Sequence, residues 1–114
     1  MNKIRTAVVA SMMVFASIAF ADGVPATKTY EVSINSFRAP LTANGTVTLR
    51  ECNDCDYHAI RVTGQTQYLI NGSAFRLEDF RKRVVNIRLA GDTTVNVIRN
   101  EATGTVSSVY LYTQ

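Results

Sequence analysis

Three side chains that could bind a soft metal ion or exchange disulfides lie close together in this sequence. Cys52, Cys55 and His58 belong to the stretch ECNDCDYH, which contains both cysteines and the single histidine of the 114-residue chain. Their C-x2-C-x2-H spacing brings two thiols and an imidazole near one turn. The stretch therefore admits three chemistries: a structural disulfide, a metal site and a redox-active dithiol.

The disulfide is the interpretation that we favour. Disulfides persist in exported proteins, and the N-terminal residues of this chain indicate export. Two cysteines three positions apart across a turn have Cα atoms within ~7 Å of each other, which permits a bridge. Because the closed loop is very small, the expected stabilisation is about 2 kcal/mol. We expect a Cys52–Cys55 bond that clips one hairpin.

The alternative is a zinc or copper site formed by Cys52, Cys55 and His58. Thiolate and imidazole ligands suit both metals, and Asp54 and Asp56 could add oxygen ligands. A closed zinc site has four ligands, whereas this turn offers three good ones. The alternative function is thus a periplasmic metal-binding protein with an open coordination position.

Redox exchange fits the neighbouring residues least well. A reactive C-x-x-C pair needs a lowered thiol pKa, and the carboxylates of Glu51, Asp54 and Asp56 would raise it. Arg50 offsets only part of that effect. Attachment of c-type haem is excluded, because its motif requires histidine where Asp56 stands.

The flanking strands predict which way these side chains point. With Asn53-Asp54 as the turn, Cys52 lies opposite Cys55, and Leu49 lies opposite His58. Because side chains alternate along a strand, the cysteines share one face with Arg50 and Tyr57. The opposite face, predicted to be the core face, carries Val47, Leu49, His58, Ile60 and Val62.

The rest of the chain is typical of short strands separated by turns. Apolar residues alternate with polar ones, and Asn71-Gly72 between two apolar runs predicts a hairpin with a type I′ turn. Apolar residues three and four apart predict a short helix near 77–83, and residues 85–89 return to strand alternation. The expected fold is mainly β, with seven to eight short strands in a small antiparallel OB-like barrel or a sandwich.

The second half of the chain resembles small exported bacterial OB-like β-barrel domains of unassigned function. The resemblance rests on Thr66 to Gly72, on Leu77-Glu78-Asp79-Phe80, on Val95-Asn96-Val97 and on the strand from Val106 to Tyr112. It implies a five-stranded, partly open barrel with a ligand-binding face. It implies no catalytic residues.

The N-terminus predicts export. Lys3 and Arg5 precede the apolar run Ala7 to Ile18, and Ala19-Phe20-Ala21 provides small residues before a cleavage site, so residues 1–21 are typical of a signal peptide. A single β domain of residues 22–114 remains. We expect it to be periplasmic or secreted, not membrane-spanning after cleavage, and monomeric. Without Lys3 and Arg5, the twelve Lys and Arg become ten, against nine acidic residues. This near balance argues against nucleic acid as a partner.

No set of residues in the chain predicts catalysis. A Ser-His-acid triad would have to use His58, and no nucleophile-elbow sequence is present. Glu78 and Asp79 are neighbours on a helical turn and point apart. We therefore expect a non-catalytic binding or accessory protein without a cofactor, whose partner is an envelope protein or an anionic polymer. The candidate surfaces are the face of Tyr110 and Tyr112 and a basic patch of Arg76, Arg81, Lys82, Arg83 and Arg88.

Overall fold

A computed structural model describes residues 26–113 and shows one helix among eight strands. The predicted signal peptide and its cleavage site lie outside these residues. A short 3₁₀ turn, Ile34–Ser36, separates the first two strands, and the helix α1 spans Leu77–Ala90. The strands are β1 (Thr27–Ser33), β2 (Phe37–Arg38), β3 (Thr46–Leu49), β4 (His58–Arg61), β5 (Gln67–Ile70), β6 (Ser73–Phe75), β7 (Thr94–Asn100) and β8 (Thr105–Leu111).

All eight strands belong to one sheet that does not close into a barrel. Strands β1, β7, β8, β4, β3 and β2 are neighbours in that order, and β6 joins the sheet through β5. β8 is antiparallel to β7 but parallel to β5 and, at Arg61 and Thr105, to β4. The mainly β fold class is confirmed, and the sheet is mixed rather than wholly antiparallel.

The register of the β3–β4 hairpin agrees with the prediction. Val47 pairs with Ile60 and Leu49 pairs with His58. The apolar members of this face are buried, as is Val62 beyond the end of β4. His58 is the exception to the predicted core face, because it is exposed at the first position of β4. Its ring centroid lies 6.5 Å from that of Tyr30, at the rim of the core.

The predicted turn at Asn71-Gly72 is confirmed. Both residues have positive φ, 51° and 85°, and asparagine and glycine tolerate this conformation best. The Asn71 side chain also binds the segment that follows β8. Its amide donates to the Thr113 hydroxyl at 2.9 Å and accepts from the Thr113 N–H at 2.8 Å.

Helix α1 begins where the sequence predicts but continues to Ala90, so the predicted strand at 85–89 is wrong. The period-two pattern of Val85, Ile87 and Leu89 overlaps a helical pattern, because Phe80, Val84 and Ile87 are also four and three apart. No glycine or proline interrupts the segment before Gly91, which ends the helix with φ 147°. Val84 is buried against the sheet, whereas Val85 and Leu89 face outward with 51% and 82% of their surfaces exposed.

Candidate functional site

The cysteine turn is a disulfide-bonded hairpin end. Cys52 and Cys55 are joined, with their Cα atoms 5.0 Å apart. The Cys55 N–H donates to the Cys52 carbonyl at 3.2 Å, as expected for a tight turn. The predicted Cys52–Cys55 bond is therefore present in the structure.

Arg50 and Tyr57, which were predicted to share a face with the cysteines, contact each other. The Arg50 guanidinium lies 5.0 Å from the centroid of the Tyr57 ring. Such a cation–π contact contributes about 0.5–1 kcal/mol at an exposed site. The buried Nε of Arg50 makes no hydrogen bond to any described residue. These contacts give the turn a structural role as a clip on the hairpin.

A metal site at Cys52, Cys55 and His58 would require both thiols to be reduced, because a disulfide sulfur cannot act as a thiolate ligand. Within residues 26–113, no three side chains of His, Cys, Asp or Glu are grouped closely enough to hold a metal ion. The oxidised turn therefore does not provide the zinc or copper ligand set.

The predicted basic patch is divided among several surfaces. Arg76 lies 3.9 Å from the Glu78 carboxylate, with 80% of its side chain exposed. The Arg83 guanidinium lies 5.0 Å from the centroid of the Phe75 ring, and Lys82 is exposed. Only Arg81 and Arg88, seven residues apart on α1, are brought together.

Arg81 and Arg88 line a cleft of about 640 Å³ between α1 and the β2–β3 region. We call it the arginine cleft. Arg38 of β2 also lines the cleft, on the side opposite the helix. Sequence analysis missed Arg38, since no local pattern indicates that β2 approaches the helix. The residues that define the cleft here are Arg38, Leu41, Arg81, Val84, Val85 and Arg88.

Arg88 is held in place by backbone carbonyls. One of its η nitrogens donates to the Phe37 carbonyl at 2.7 Å and to the Ile34 carbonyl at 3.2 Å. Its Nε also donates to Ile34, at 3.3 Å. Neutral carbonyls orient the guanidinium without cancelling its charge, and five N–H donors are available on this group. Arg88 is thus a fixed cation with donor capacity left over.

Among the residues that the structure describes, no acidic one lines the arginine cleft. The ion pairs among residues 26–113 lie elsewhere, between Arg76 and Glu78 and between Arg99 and Glu101. Three cations with no carboxylate among them produce a local positive potential, whereas the formal net charge of the whole chain is only +3. Such a cleft attracts anions.

The arginine cleft also has an apolar side. Leu41 is 75% exposed and Val85 is 51% exposed, whereas Val84 is buried at the base. Exposed large apolar side chains beside converging polar groups are typical of ligand sites. Thr42, Thr46 and Thr48 add hydroxyl groups to the wall. The cleft can therefore accept an anion and an apolar group together.

Tyr68 lies in the core and does not line the arginine cleft. Burial raises the pKa of Tyr68 above its ordinary value, and its buried hydroxyl has no hydrogen-bond partner among residues 26–113. The Tyr68 and Phe80 rings pack with centroids 5.1 Å apart beneath α1. Tyr68 is a core residue rather than a site residue.

Comparisons of the chain with protein-family models, curated proteins and solved structures find no match. The part of the chain that the structure describes contains no helix with the length and apolar character that a membrane crossing requires. Any functional assignment must therefore come from the surface chemistry of the domain itself.

Proposed function

We propose that this chain is a non-catalytic binding protein of the bacterial envelope, and that its arginine cleft holds an acidic segment of another envelope protein. The observation that carries the proposal is the convergence of three arginines on one cleft that lacks an acidic residue. The disulfide-clipped hairpin, in this proposal, stabilises the domain and takes no part in binding.

The arrangement of the three arginines supports an anionic partner. Arg88 is already oriented by the Ile34 and Phe37 carbonyls, so little side-chain entropy is lost when it binds. Arg38 and Arg81 stand on opposite walls of the cleft. Guanidinium groups bind carboxylates with paired, charge-assisted hydrogen bonds.

The apolar wall supports a peptide rather than a polysaccharide. Leu41 and Val85 present apolar surface beside the arginines. A carboxylated polysaccharide would leave that surface without an apolar contact, whereas a peptide can place a leucine or valine there. The favoured partner segment therefore combines acidic side chains with at least one aliphatic side chain.

Two observations support the envelope as the location. The signal-peptide pattern of residues 1–21 predicts export. The Cys52–Cys55 disulfide is compatible with an oxidising compartment, since cytosolic thiols are generally kept reduced.

The test is calorimetric titration of the domain with an acetylated hexapeptide of alternating glutamate and leucine, at low salt. We expect Arg38→Gln combined with Arg81→Gln to weaken peptide binding by at least about tenfold, through loss of two charge-assisted contacts. The matched control combines Arg61→Gln with Lys82→Gln. It removes the same charge from exposed positions outside the cleft and is expected to bind nearly normally.

A second comparison separates peptide from polymer. Leu41→Ser changes an exposed side chain and so should leave folding intact. It is expected to weaken peptide binding and to leave any binding of polygalacturonate unchanged. Equal loss of peptide binding in the cleft variant and in the charge-matched control would overturn the cleft assignment. Binding of polygalacturonate but not of the peptide would overturn the peptide assignment.

A further inference from the structure

A second cleft lies on the other flank of α1. It has a volume of about 870 Å³ and lies between the helix and the ends of β5, β7 and β8. We call it the tyrosine cleft, after Tyr112. Its polar lining includes Arg83, Asn86, Asp92, Tyr112 and Thr113.

Tyr112 presents an aromatic surface to solvent. Tyr112 is 63% exposed. The ring packs edge-on against Tyr110, with centroids 5.9 Å apart and an interplanar angle of 75°. The adjacent Thr113 is fastened to Asn71 by two hydrogen bonds. The ring is therefore held at a defined position while its surface stays accessible.

The charges of the tyrosine cleft balance one another. Arg83 supplies one cation and Asp92 supplies one carboxylate. One oxygen of the Asp92 carboxylate accepts a hydrogen bond from the Ser33 hydroxyl, which orients the group and leaves the other oxygen available. With no net charge, this cleft does not select for anions as the arginine cleft does.

Two planar hydrogen-bonding groups, the Asn86 amide and the Asp92 carboxylate, belong to residues that line the same cleft as Tyr112. The Asn86 amide can both donate and accept, and the Asp92 carboxylate accepts. The hydrogen bonds among the described residues leave the Asn86 amide unused. An aromatic face stacks against the C–H face of a sugar ring, while hydroxyls at the edge of that ring bond to amides and carboxylates. We infer that the tyrosine cleft is a binding site for a neutral oligosaccharide.

This site is independent of the proposed peptide site. Residues that line the two clefts lie on opposite flanks of α1, and no residue lines both. The domain could then bind a neutral glycan and an acidic protein segment at the same time. Such a protein would connect an envelope protein to envelope carbohydrate.

The test is an NMR titration of the full domain with maltotriose and with chitotriose, following the backbone amides and the tyrosine rings. We expect shifts at Asn86, Asp92 and Tyr112 with at least one of the two sugars. Tyr112→Ala should weaken that binding by about tenfold, because the stacking surface is removed. Tyr112→Phe keeps the ring and should retain most of it.

Three further variants keep the test independent of folding and of the peptide site. Asn86→Ala replaces an exposed helix residue with a better helix former, so a loss of sugar binding cannot come from a weakened helix. Tyr57→Ala removes a different exposed tyrosine, at the disulfide turn, and should bind sugar normally. The Arg38→Gln, Arg81→Gln variant should also bind sugar normally, which separates this inference from the proposed peptide function.

Several results would overturn the inference. These include shifts with neither sugar, shifts confined to residues outside the tyrosine cleft, and equal weakening of binding by Tyr57→Ala and Tyr112→Ala. Shifts in the tyrosine cleft with the acidic peptide but with neither sugar would likewise overturn it and assign the cleft to peptide.

Discussion

The arginine cleft and the tyrosine cleft border the same helix and differ in charge. Among the described residues, the first is lined by three arginines and no acidic residue, and the second is lined by one arginine and one aspartate beside amides, hydroxyls and an exposed aromatic ring. Both clefts are defined by where α1 packs on the sheet. One packed helix thus separates two surfaces that suit different ligands.

The difference arises from helical geometry. Arg81, Lys82 and Arg83 are adjacent in sequence and look like a single basic patch. Successive residues on a helix point in different directions, whereas residues three, four and seven apart share a face. Arg81 therefore joins Arg88 at one cleft, Arg83 faces the other, and Lys82 points to solvent. A run of charges on a helix does not by itself define a surface.

The largest expected effect is a difference in the free energy of unfolding between variants of two arginines that line the same cleft. Arg88→Met removes the hydrogen bonds to the Ile34 and Phe37 carbonyls. Hydrogen bonds to charged groups contribute about 1.5–3 kcal/mol, so we expect the free energy of unfolding to fall by about 2–3 kcal/mol. Arg81→Met should change it by less than about 0.5 kcal/mol. Urea unfolding measures both, and equal effects would contradict the anchoring role of Arg88.

Reduction of the disulfide should affect stability and neither cleft. The loop closed by Cys52 and Cys55 is small, so its loss should lower the free energy of unfolding by about 2 kcal/mol. Residues 50–57 line neither cleft. The Cys52→Ser, Cys55→Ser variant should therefore bind peptide and sugar as the parent does, in calorimetry well below the unfolding midpoint. Impaired binding by this folded variant would bring the turn into the functional site.

Ionic strength should separate the two clefts. Raising salt from about 0.01 M to about 0.15 M shortens the Debye length from about 30 Å to about 8 Å. We expect acidic-peptide binding to weaken several-fold over this range and sugar binding to stay nearly constant. The same titrations at two salt concentrations measure this difference. Parallel weakening of both ligands would show that the tyrosine cleft also recognises charge.

The smallest expected effect concerns the core beneath α1. Burial raises the pKa of Tyr68 above the unfolded value of 10.0, so the folded state holds this proton more tightly. The contribution of this proton to the free energy of unfolding is therefore fully present below pH 10, and it is lost as the pH rises through the raised pKa of Tyr68. Tyr68→Phe also removes a buried hydroxyl that has no hydrogen-bond partner in the described part of the chain.

We expect Tyr68→Phe to raise the free energy of unfolding by about 0.5–1 kcal/mol at neutral pH, because an unsatisfied buried group is costly. Above pH 10, the variant should lose less stability than the parent. Urea unfolding at pH 7 and near pH 11 tests both statements. A variant less stable than the parent at pH 7 would indicate that the hydroxyl has a partner, such as a buried water.

Local patterns predicted most of the sheet. The Asn71-Gly72 turn and the β3–β4 register both follow from nearest neighbours and from period-two alternation. The second half of α1 was predicted wrongly, because Val85, Ile87 and Leu89 satisfy a strand pattern and a helical pattern equally well. Tertiary packing of Val84 on the sheet decides in favour of the helix.

The arginine cleft could be predicted only in part. Arg81 and Arg88 were candidates from their charge, but the clustering of Arg76, Lys82 and Arg83 with them was not found. Arg38 meets the helix through the fold, from far away in the sequence, so no local signal indicates it. The structural role of Arg88 likewise depends on carbonyls of the 3₁₀ turn and β2. Local periodicity in the sequence does not predict contacts between distant segments.

The most direct test of the arginine cleft follows the guanidinium groups themselves. Side-chain Nε–H signals of Arg38, Arg81 and Arg88 would be recorded by NMR while the glutamate–leucine hexapeptide is added at low salt. The expected result is saturable shifts at these three signals and at backbone amides of residues 38–48 and 81–88, with Arg61 unchanged. Uniform small shifts of all arginines, or saturable shifts confined to residues outside the cleft, would contradict the assignment.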